Sequence, residues 1–571
     1  MSESIYDKLS KERKRLQKEG LVPEWFTTGG YSMFTQKYEY DTNGRSVCGQ
    51  FERIAKAAAK HLKGTKFEAE AEGKFFDLMW NNWLSLSTPV MSNMGTDRAL
   101  PVSCSGGVVD DSINGFYRNR YETAILTKHG FGTSAYLGGI RPRGTPYGKD
   151  KKGTASGIWP VFKGHAQDMI DVSQGSQRRG AWAGYLEIDH NDFDEIYDHI
   201  YNDPDGMNVG WIITDAFLKR LQSGDTDAIR RYQRCLKMKM VVGRGYFWFV
   251  DRVNRKLPEP YKRAGMKNYA SNLCNEVALP ADNEHQFTCV LSSMLVHRFN
   301  EWKDTDAVYW ATIFLDCVAE EFIQRAKDIE GLEKTVRFTQ KARALGLGQA
   351  GFHTYLQDHM IPFESLEARM VSQQIAKHIW EESLRASQDM AKELGEPEWC
   401  RGFGVRNASR IAIAPTKSSA IMFGGVSEGI NPDPAMVFTQ KSAGGSIDRI
   451  VPSLLKIMKE RGVYNKKTIK TITERFGSVQ HVDWLSDDEK AVFKTAFEIN
   501  QKTVVALASA RGRYIDQWQS LNLFFAAEER PEWISEVHQQ AFEDPNILGL
   551  YYIYTQAGIG AAKETECVAC Q

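Results

Sequence analysis

The sequence predicts a large α/β domain, built as a barrel, that follows a short helical region. Strand-like runs such as GYFWFVDRV and RIAIAP alternate with helix-like runs such as DTDAVYWATIFLDCVAEEFIQRAK. The 571 residues are 42% hydrophobic, which is enough to bury a sizeable core. No repeat and no internal low-complexity linker divides the chain, so we expect one large unit.

We expect three parts along the chain. Residues 1–95 are predicted to be helical, because FERIAKAAAKHLKG and KFFDLMWNNWLSLS carry apolar residues at helical spacing until Pro89. Residues 96–556 contain the alternating strands and helices, with glycine-rich turns in their first hundred residues. Residues 557–571, AGIGAAKETECVACQ, are small and polar enough to form a mobile tail.

Charge and hydropathy exclude several classes of protein. Lys plus Arg and Asp plus Glu both number 72, and this balance argues against nucleic acid or an anionic membrane bound by bulk charge. No run reaches the ~18 apolar residues of a transmembrane helix. The charged start MSESIYDKLSKERKRLQ lacks the apolar region of a signal peptide. We therefore expect a cytoplasmic protein without a membrane or nucleic acid partner.

Nine cysteines, an odd number in a long cytosolic chain, do not indicate a disulfide scaffold. Cys274 lies in SNLCNEV. In a loop or extended segment, period-two geometry would put Asn272, Cys274 and Glu276 on one side. There the thiol could serve as a nucleophile or hydrogen carrier, the carboxylate as a base and the amide as an orienting group. A buried cysteine flanked by polar turn residues is the alternative interpretation.

For the next four cysteines, the sequence allows both a redox role and a packing or incidental role. Cys104 in VSCSGG and Cys289 in FTCV both lie beside hydroxyl residues, and the sequence does not show whether they meet. Cys567 and Cys570 form a CxxC at the end of the chain, without the second ligand pair of a zinc site or the helix of a thioredoxin-like motif. Either they form a dithiol that exchanges electrons with a disulfide elsewhere, or the tail is incidental.

Two further motifs allow a chemical interpretation. Tyr551 and Tyr552 in LYYIYT could relay an electron and a proton, although adjacent tyrosines in a strand normally pack on opposite faces. PTKSSA follows the strand-like RIAIAP as a strand–turn–helix whose hydroxyls and N–H groups suit a phosphate. It is not the GxxxxGK[ST] P-loop, and an ordinary helix N-cap is the alternative.

A collinear series of segments, from about Tyr31 to the last residue, resembles the large (α) subunit of ribonucleotide reductase. The segments are SLSTPVMSN, SCSGG, DDSINGFY, GGIRPRGT, QGSQRRGA, SNLCNEVALP, FTCVLSS, ALGLGQAGF, APTKSSA, SEGINP, DQWQSLNLF, LYYIYT and CVAC. One such motif would be weak evidence for the family, but the whole series in this order is specific to it. The resemblance implies a ten-stranded α/β barrel of two five-stranded halves, with Cys274 on a loop through its centre.

The resemblance also implies the chemistry, which is the reduction of ribonucleoside di- or triphosphates to 2′-deoxyribonucleotides. Cys274 would become a thiyl radical that abstracts the 3′ hydrogen, Glu276 would take the 3′-hydroxyl proton, and Asn272 would hydrogen-bond the substrate. Cys104 and Cys289 would supply two electrons and end as a disulfide. The tail dithiol would re-reduce this disulfide before thioredoxin or glutaredoxin restores the tail.

Two nucleotide sites follow from the same resemblance. The substrate site would comprise Thr88, Ser103, Thr416, Lys417, Ser418 and Ser419. The specificity site, for a dNTP or ATP effector with Mg²⁺, would comprise Asp111, Ser112, Ile113 and Arg141, with Gln177, Arg178 and Arg179 in the loop between effector and substrate. A carboxylate there can bind a ribose hydroxyl while Arg141 meets phosphate. The helix that begins near Asp111 would pack against its twin in a homodimer.

The pair Tyr551–Tyr552 resembles the radical relay of oxygen-dependent, class I enzymes. It implies a ferritin-like β subunit that carries the metal or tyrosyl radical source, and neither a metal nor a covalently bound cofactor in this chain. The alternatives are an adenosylcobalamin-dependent reductase of the same fold and a non-catalytic nucleotide-binding relative. A thiol oxidoreductase built around CVAC would leave most of the chain unexplained. Two departures from the family are expected: no N-terminal ATP-cone domain, and a short CxxC spacing.

Overall fold

The computed structural model of the chain describes residues 5–40, 45–172, 180–204, 207–442 and 445–556. Its first part is helical, as expected. The helices are α1 (Ile5–Lys18), α2 (Thr28–Met33), α3 (Ser46–Ala59) and α4 (Glu68–Trp80). α3 and α4 pack against each other and bury apolar side chains such as Phe51 and Phe75. The ring of Phe75 also contacts Trp310 and Phe314, which joins this part to the barrel domain.

The helix predicted over KFFDLMWNNWLSLS is shorter than expected. α4 ends at Trp80, and Leu84–Leu86 form a strand, β1, antiparallel to the strand Phe287–Leu295. Pro89 lies in the first turn of α5 (Thr88–Asn93) and does not end a helix. Its missing N–H costs little there, because the first N–H groups of a helix have no partner within the helix.

Five parallel strands form the first half of the barrel. The strands of this part of the chain are β2 (Cys104–Val108), β3 (Gly132–Tyr136), β4 (Pro146–Tyr147), β5 (Gly153–Thr154), β6 (Trp182–Glu187), β7 (Asn208–Ile212) and β8 (Tyr246–Trp248). The helices are α6 (Ile113–Lys128), α7 (Trp159–Asp171), α8 (Phe193–Asn202), α9 (Asp215–Gln222) and α10 (Thr226–Val241). β2, β3, β6, β7 and β8 pair in parallel in this order, and β4 and β5 form a separate hairpin. The helices supply the crossovers that parallel pairing requires.

The second half is less regular. Its strands are β9 (Phe287–Leu295), β10 (Leu345–Ala350), β11 (Val437–Ser442), β12 (Gly445–Ile450), β13 (Leu523–Phe525), β14 (Gly549–Leu550) and β15 (Ile553–Thr555). β10 is parallel to β9 and β13 is parallel to β15, while β11 and β12 form an antiparallel hairpin. Between β10 and β13, two extended segments meet at a single parallel bridge, Ile413–Gln519.

The prediction of a regular strand at RIAIAP (410–415) is therefore wrong. The carboxylate of Asp516 accepts the backbone N–H groups of Arg410 and Ile411, so a side chain replaces a neighbouring strand as hydrogen-bond partner. On the other side, β10 still donates from Leu345 and Leu347 to the carbonyls of the segment 409–410. The segment thus occupies a strand position in the barrel without a regular ladder.

Two antiparallel seams close the barrel. β2 pairs with β9 at one seam, and β8 pairs with β14 at the other. Apart from the hairpins β4–β5 and β11–β12, the paired strands within each half are parallel, so the two halves run in opposite directions. This arrangement confirms the predicted α/β barrel of two five-stranded halves behind a helical region.

The remaining helices all follow β8 in the chain. They are α11 (Val250–Lys256), α12 (Glu259–Arg263), α13 (Phe299–Trp302), α14 (Ala307–Ala326), α15 (Glu333–Ala342), α16 (Phe352–Asp358), α17 (Leu366–Leu394), α18 (Lys417–Met422), α19 (Pro452–Glu460), α20 (Lys466–Thr473), α21 (Asp487–Val492), α22 (Gln501–Arg511) and α23 (Pro531–Glu543). Among the described residues, no helix combines the length and the apolar character needed to cross a bilayer.

A loop between α12 and β9 reaches the interior of the barrel. Residues 264–286 contain neither a helix nor a strand. Asn272 and Cys274 are fully buried in this loop, and Glu276 is 1% exposed. The residues that the sequence singled out for chemistry therefore lie in the protein interior, where electrostatic and hydrogen-bonding effects are strongest.

Candidate active site

The Cys274 segment is a loop that forms a tight turn, so the period-two geometry that we expect from the sequence is wrong. Asn272 Oδ1 accepts hydrogen bonds from the backbone N–H groups of Glu276 and Val277 at 3.1 and 3.2 Å. Asn275 has a φ of 63°, a left-handed conformation that asparagine tolerates better than most residues. The turn nevertheless brings Asn272 Nδ2 to 3.0 Å from Glu276 Oε1. The amide and the carboxylate meet because of this turn and not because of strand periodicity.

Side chains from the surrounding strands hold the loop in place. Tyr185 on β6 donates to the carbonyl of Asn272 at 2.7 Å, and Ser134 on β3 donates to the carbonyl of Ser271 at 2.8 Å. Ser520 Oγ lies 2.7 Å from the carbonyl oxygen of Cys274 and 3.1 Å from Glu276 Oε2. Sequence reasoning missed these three anchors, although Ser520 belongs to the DQWQSLNLF segment.

Glu276 has an environment that suits proton transfer. Burial raises the pKa of its carboxyl group to about 7, while hydrogen bonds from Asn272 and Ser520 oppose the shift. A carboxyl group with this pKa changes its protonation state near neutral pH. It can therefore both accept and return a proton under cellular conditions.

Cys104 and Cys289 meet across the seam between β2 and β9. They are directly opposite each other in the antiparallel register. Opposed residues in such a ladder have Cα atoms about 4.5–5.5 Å apart, which lies within the range of about 4.4–6.8 Å that a disulfide spans. Burial raises the pKa of the Cys289 thiol, so it is held protonated. The pair can thus form a disulfide while the strands stay paired.

One side chain joins this thiol pair to the loop. Asn272 Nδ2 lies 3.5 Å from Cys104 Sγ as well as 3.0 Å from Glu276 Oε1. On the other side of the pair, Gln517 Nε2 lies 3.8 Å from Cys289 Sγ and donates to the carbonyl of Leu345 at 2.7 Å. A thiol pair, an amide and a carboxylate therefore form one continuous polar cluster.

A cleft rich in hydroxyl groups opens from this cluster. Its lining includes Cys104, Glu276, Ser85, Ser87, Thr88, Ser103, Ser292, Ser293, Thr416 and Ser419. Within the described part of the chain, the hydroxyl groups of Ser85, Ser87 and Ser103 have no hydrogen-bond partner. Buried hydroxyl groups are normally satisfied, so these three suit a polar ligand.

Four of the six predicted substrate residues line this cleft, namely Thr88, Ser103, Thr416 and Ser419. Thr88 Oγ1 lies 3.2 Å from the phenol of Tyr38, a residue that sequence reasoning missed. Lys417 and Ser418 follow Thr416 in the first turn of α18. The turn itself is formed by Thr416, whose φ is 54° and whose hydroxyl accepts from the N–H of Gly429 at 2.8 Å.

Tyr551 and Tyr552 lie between β14 and β15, and their rings are in contact. The ring centroids are 4.1 Å apart, so the opposite-face packing of a regular strand does not occur. Tyr246 on β8 adds a third phenol, with its ring 4.9 Å from that of Tyr551 and its hydroxyl 3.2 Å from that of Tyr552. The segment passes beside the Cys274 loop, because a Cβ added at Gly549 would lie 2.3 Å from Asn275 Oδ1.

A second cavity of about 410 Å³ lies at the start of α6. Asp111, Ser112, Ile113 and Arg141 all line it. They are the residues that the resemblance implies for the specificity site. Arg141 Nε donates to Asp111 Oδ2 at 2.6 Å, and Ser112 caps α6 by accepting from the N–H of Gly115 at 3.0 Å. The side chain of Ile113 is 69% exposed.

Several predicted residues are not placed by the structure. Gln177, Arg178, Arg179, Cys567 and Cys570 lie outside the described residues. Four further cysteines, Cys48, Cys235, Cys317 and Cys400, are all buried, which fits a packing role. Within the described ranges, no group of His, Cys, Asp and Glu side chains has the arrangement of a metal site.

Comparison with known families matches nearly the whole chain. The model described as "Ribonucleotide reductase, barrel domain" matches residues 102–231, 225–403 and 397–553. The model described as "Ribonucleotide reductase, all-alpha domain" matches residues 24–99. The two matches correspond to the barrel and to the helical region that precedes it.

Individual relatives agree with the family match. A Frog virus 3 (isolate Goorha) protein, provisionally named as a ribonucleoside-diphosphate reductase large subunit, is 32% identical over 88% of this chain and 93% of its own length. The ribonucleoside-diphosphate reductase large subunit of Danio rerio is 26% identical over 85% of this chain and 70% of its own. The structure of the Actinobacillus ureae class Id ribonucleotide reductase alpha subunit superposes with a TM-score of 0.85 at 35% identity, over 94% of this chain and 98% of that chain.

Proposed function

We propose, because the chain belongs to the ribonucleotide reductase large-subunit family, that it reduces ribonucleotides to 2′-deoxyribonucleotides by radical chemistry at Cys274. One observation carries this proposal: the amide of Asn272 contacts both Cys104 Sγ, at 3.5 Å, and Glu276 Oε1, at 3.0 Å. The groups that we propose as reductant, base and orienting group are therefore in direct contact inside the barrel. The activity is that of an oxidoreductase of the ribonucleoside-diphosphate reductase type.

The reaction begins when the radical reaches Cys274. A tyrosyl radical of the pair Tyr551–Tyr552 takes the hydrogen atom of the Cys274 thiol, which regenerates the phenol and leaves a thiyl radical. The thiyl radical then removes the hydrogen atom from the ribose C3′, which restores the S–H bond and leaves a carbon radical. Glu276 accepts the proton of the 3′-hydroxyl group, as its pKa of about 7 permits.

The thiol pair supplies the electrons for the second stage. The 2′-hydroxyl group leaves as water, with a proton taken from the pair Cys104–Cys289. The pair gives up two electrons and two protons in all and becomes a disulfide, for which the opposed register of the two residues is suited. Glu276 then returns its proton to the 3′-oxygen. Cys274 finally returns its hydrogen atom to C3′, so the thiyl radical re-forms and passes back to the tyrosines.

The hydroxyl-lined cleft is proposed as the substrate site. Ser103 and Thr88 line it near the thiol pair, and their hydroxyl groups suit a ribose. The turn of Thr416, Lys417, Ser418 and Ser419 would hold the di- or triphosphate through hydroxyl groups, N–H groups and the lysine charge. Ribose and phosphate would then lie at opposite ends of one cleft.

The structural similarity to the Actinobacillus ureae class Id alpha subunit supports a radical source that lies in a separate subunit. We propose that a ferritin-like β subunit carries the metal or tyrosyl radical and delivers it to Tyr552 and Tyr551. The contact between these two rings, 4.1 Å between centroids, suits such a transfer. An adenosylcobalamin-dependent mechanism would not need the pair.

The remaining assignments concern control and turnover. The cavity of Asp111, Ser112, Ile113 and Arg141 would bind a dNTP or ATP effector with Mg²⁺, and the loop of Gln177, Arg178 and Arg179 would connect it to the substrate. The exposed Ile113 and Tyr117 on α6, 69% and 64% exposed, would pack against a second copy in a homodimer. Cys567 and Cys570 would re-reduce the active-site disulfide and would in turn be reduced by thioredoxin or glutaredoxin.

One assay tests this function. Nucleotide reduction is measured with the chain alone, with a candidate β subunit, and with adenosylcobalamin, using both diphosphate and triphosphate substrates. We expect deoxynucleotide only when the β subunit is present. Product formed with adenosylcobalamin alone would overturn the class I proposal, and absence of product under every condition would support a non-catalytic relative.

A further inference from the structure

A buried lysine lies behind the tyrosine pair and has no role in the chemistry described above. Lys239 on α10 is 2% exposed, and burial lowers the pKa of its amine to about 7. Within the described residues no carboxylate pairs with it. Burying an amine in this way is costly unless hydrogen bonds compensate. Its bonding partners therefore indicate what it does.

Lys239 Nζ donates to two main-chain carbonyls from different parts of the chain. One belongs to Gly245, at 2.8 Å, and the other belongs to Tyr551. Gly245 directly precedes Tyr246 and has a left-handed φ of 90°, which turns the chain into β8. A single amine thus connects the segment that carries Tyr246 to the segment that carries Tyr551 and Tyr552.

The strand register shows why a side chain is needed at this point. At the seam between β8 and β14, Gly549 is opposite Trp248 and Leu550 is opposite Phe247. The next pair in this register would be Tyr551 and Tyr246, but the ladder of β14 ends at Leu550. Lys239 connects the two segments where the regular hydrogen bonds stop.

The three phenols meet just beyond this connection. The Tyr246 hydroxyl is 3.2 Å from the Tyr552 hydroxyl, and the Tyr246 ring is 4.9 Å from that of Tyr551. In the proposed relay the radical passes between Tyr552 and Tyr551, whose ring centroids are 4.1 Å apart. A displacement of about 1 Å can cost on the order of 10²-fold in rate. The main chain that carries these rings must therefore be held firmly.

We propose that Lys239 is a positioning residue for radical transfer, which sets the tyrosine pair against Tyr246 by joining the carbonyls of Gly245 and Tyr551. This inference rests on the proposed radical relay. Lys239 does not touch the substrate or the reacting sulfur, and it acts through the main chain of Tyr551. Its removal should therefore slow turnover without changing how nucleotides bind.

The test compares Lys239→Met and Lys239→Gln with the parent chain, at saturating β subunit. Methionine keeps the length of the side chain but cannot donate a hydrogen bond, whereas the amide of glutamine donates and can recover one of the two contacts. Lys56→Met, an exposed lysine of α3, is the matched control. The measurements are kcat, the KM for substrate, and the affinity for the effector.

We expect Lys239→Met to lower kcat by about ten-fold or more, with the KM and the effector affinity unchanged and with partial recovery in Lys239→Gln. A kcat within about two-fold of the parent in Lys239→Met would overturn the proposal. If Lys239→Met loses effector binding through misfolding, Lys239→Gln decides: normal effector binding with reduced kcat supports the proposal, and an unchanged kcat overturns it.

Tyr552→Phe is assayed in parallel to separate this inference from the relay on which it rests. If Tyr552→Phe is inactive while Lys239→Met is fully active, only the positioning role fails. If Tyr552→Phe keeps the parent activity, the relay itself is wrong.

Discussion

Cys104 and Cys289 are opposed in the antiparallel register of β2 and β9, at one of the two seams that close the barrel. The distance between the two thiols is therefore set by a hydrogen-bonded ladder and not by a loop. Because strands resist separation, the pair can cycle between dithiol and disulfide with little movement of the backbone. This seam places the proposed reductant next to Asn272 of the Cys274 loop.

The first prediction concerns this thiol pair. Without an external reductant, the parent chain should make a limited amount of deoxynucleotide and end with a Cys104–Cys289 disulfide, which peptide mapping by mass spectrometry detects. Cys104→Ser and Cys289→Ser should lower product by about 10²-fold or more, since serine cannot supply the electrons. Cys400→Ser, a buried cysteine in the same apolar cluster, is the control and should behave as the parent. Normal product from either serine variant of the pair would refute its role.

The second prediction concerns the tyrosine pair. Tyr551→Phe and Tyr552→Phe keep the ring contact, 4.1 Å in the parent, but remove the hydroxyl group that carries the hydrogen atom. We expect turnover with the β subunit to fall to background while substrate and effector still bind. Tyr355→Phe, in α16, is the matched control and should keep full activity. Unchanged rates in both relay variants would exclude radical transfer through these residues.

The third prediction follows from the raised pKa of Glu276. With a pKa of about 7, the carboxyl group is mainly protonated at low pH and mainly ionised at high pH, and only the ionised form can accept the 3′-hydroxyl proton. We therefore expect kcat/KM to fall by about ten-fold for each pH unit below 7.

The hydrogen bond from Ser520 gives this pH profile its control. Ser520 lies 3.1 Å from Glu276 Oε2, and this bond favours the ionised form. Ser520→Ala should therefore raise the pKa and shift the acidic limb of the kcat/KM profile to higher pH. A profile that is flat between pH 5 and 8 (about two units below to one above the pKa), or a shift to lower pH in Ser520→Ala, would contradict the role of Glu276.

The fourth prediction concerns the cavity at the start of α6. Arg141→Ala removes the guanidinium group that donates to Asp111 at 2.6 Å and that would meet the effector phosphates. We expect the effector Kd to rise by about ten-fold or more, with loss of effector-dependent choice among substrate bases and little change in unstimulated turnover. Arg143→Ala is the control, because Arg143 pairs with Glu195 on the surface instead. An effector response equal to that of the parent would remove Arg141 from the site.

Much of the architecture could be predicted from the sequence. The alternation of strand-like and helix-like runs predicted the α/β barrel, and the collinear segments predicted its two halves. Predictions from local periodicity failed where side chains, and not neighbouring strands, accept the backbone hydrogen bonds. Asp516 takes the hydrogen bonds of Arg410 and Ile411, and the Asn272 side chain turns the Cys274 loop. Such bonds depend on residues that are distant in the chain or on a specific turn, which periodicity does not describe.

The site was predictable in its residues but not in its contacts. Cys104 and Cys289 could each be singled out, yet their opposed register depends on the pairing of strands 185 residues apart, 289 minus 104. Lys239 lies among the alternating residues KMKMV, and a lysine in a helix normally indicates an exposed face. Only the three-dimensional structure shows that its amine is buried against Tyr551.

The central claim is that Cys274 carries the radical, and Cys274→Ser tests it most directly. The residue is fully buried, and serine is close to it in size, so substrate and effector affinity should persist. Cys317→Ser, a buried cysteine of α14, is the control. Deoxynucleotide formation is measured with the β subunit present. We predict no product above background from Cys274→Ser and normal product from Cys317→Ser, and substantial turnover by Cys274→Ser would contradict the mechanism.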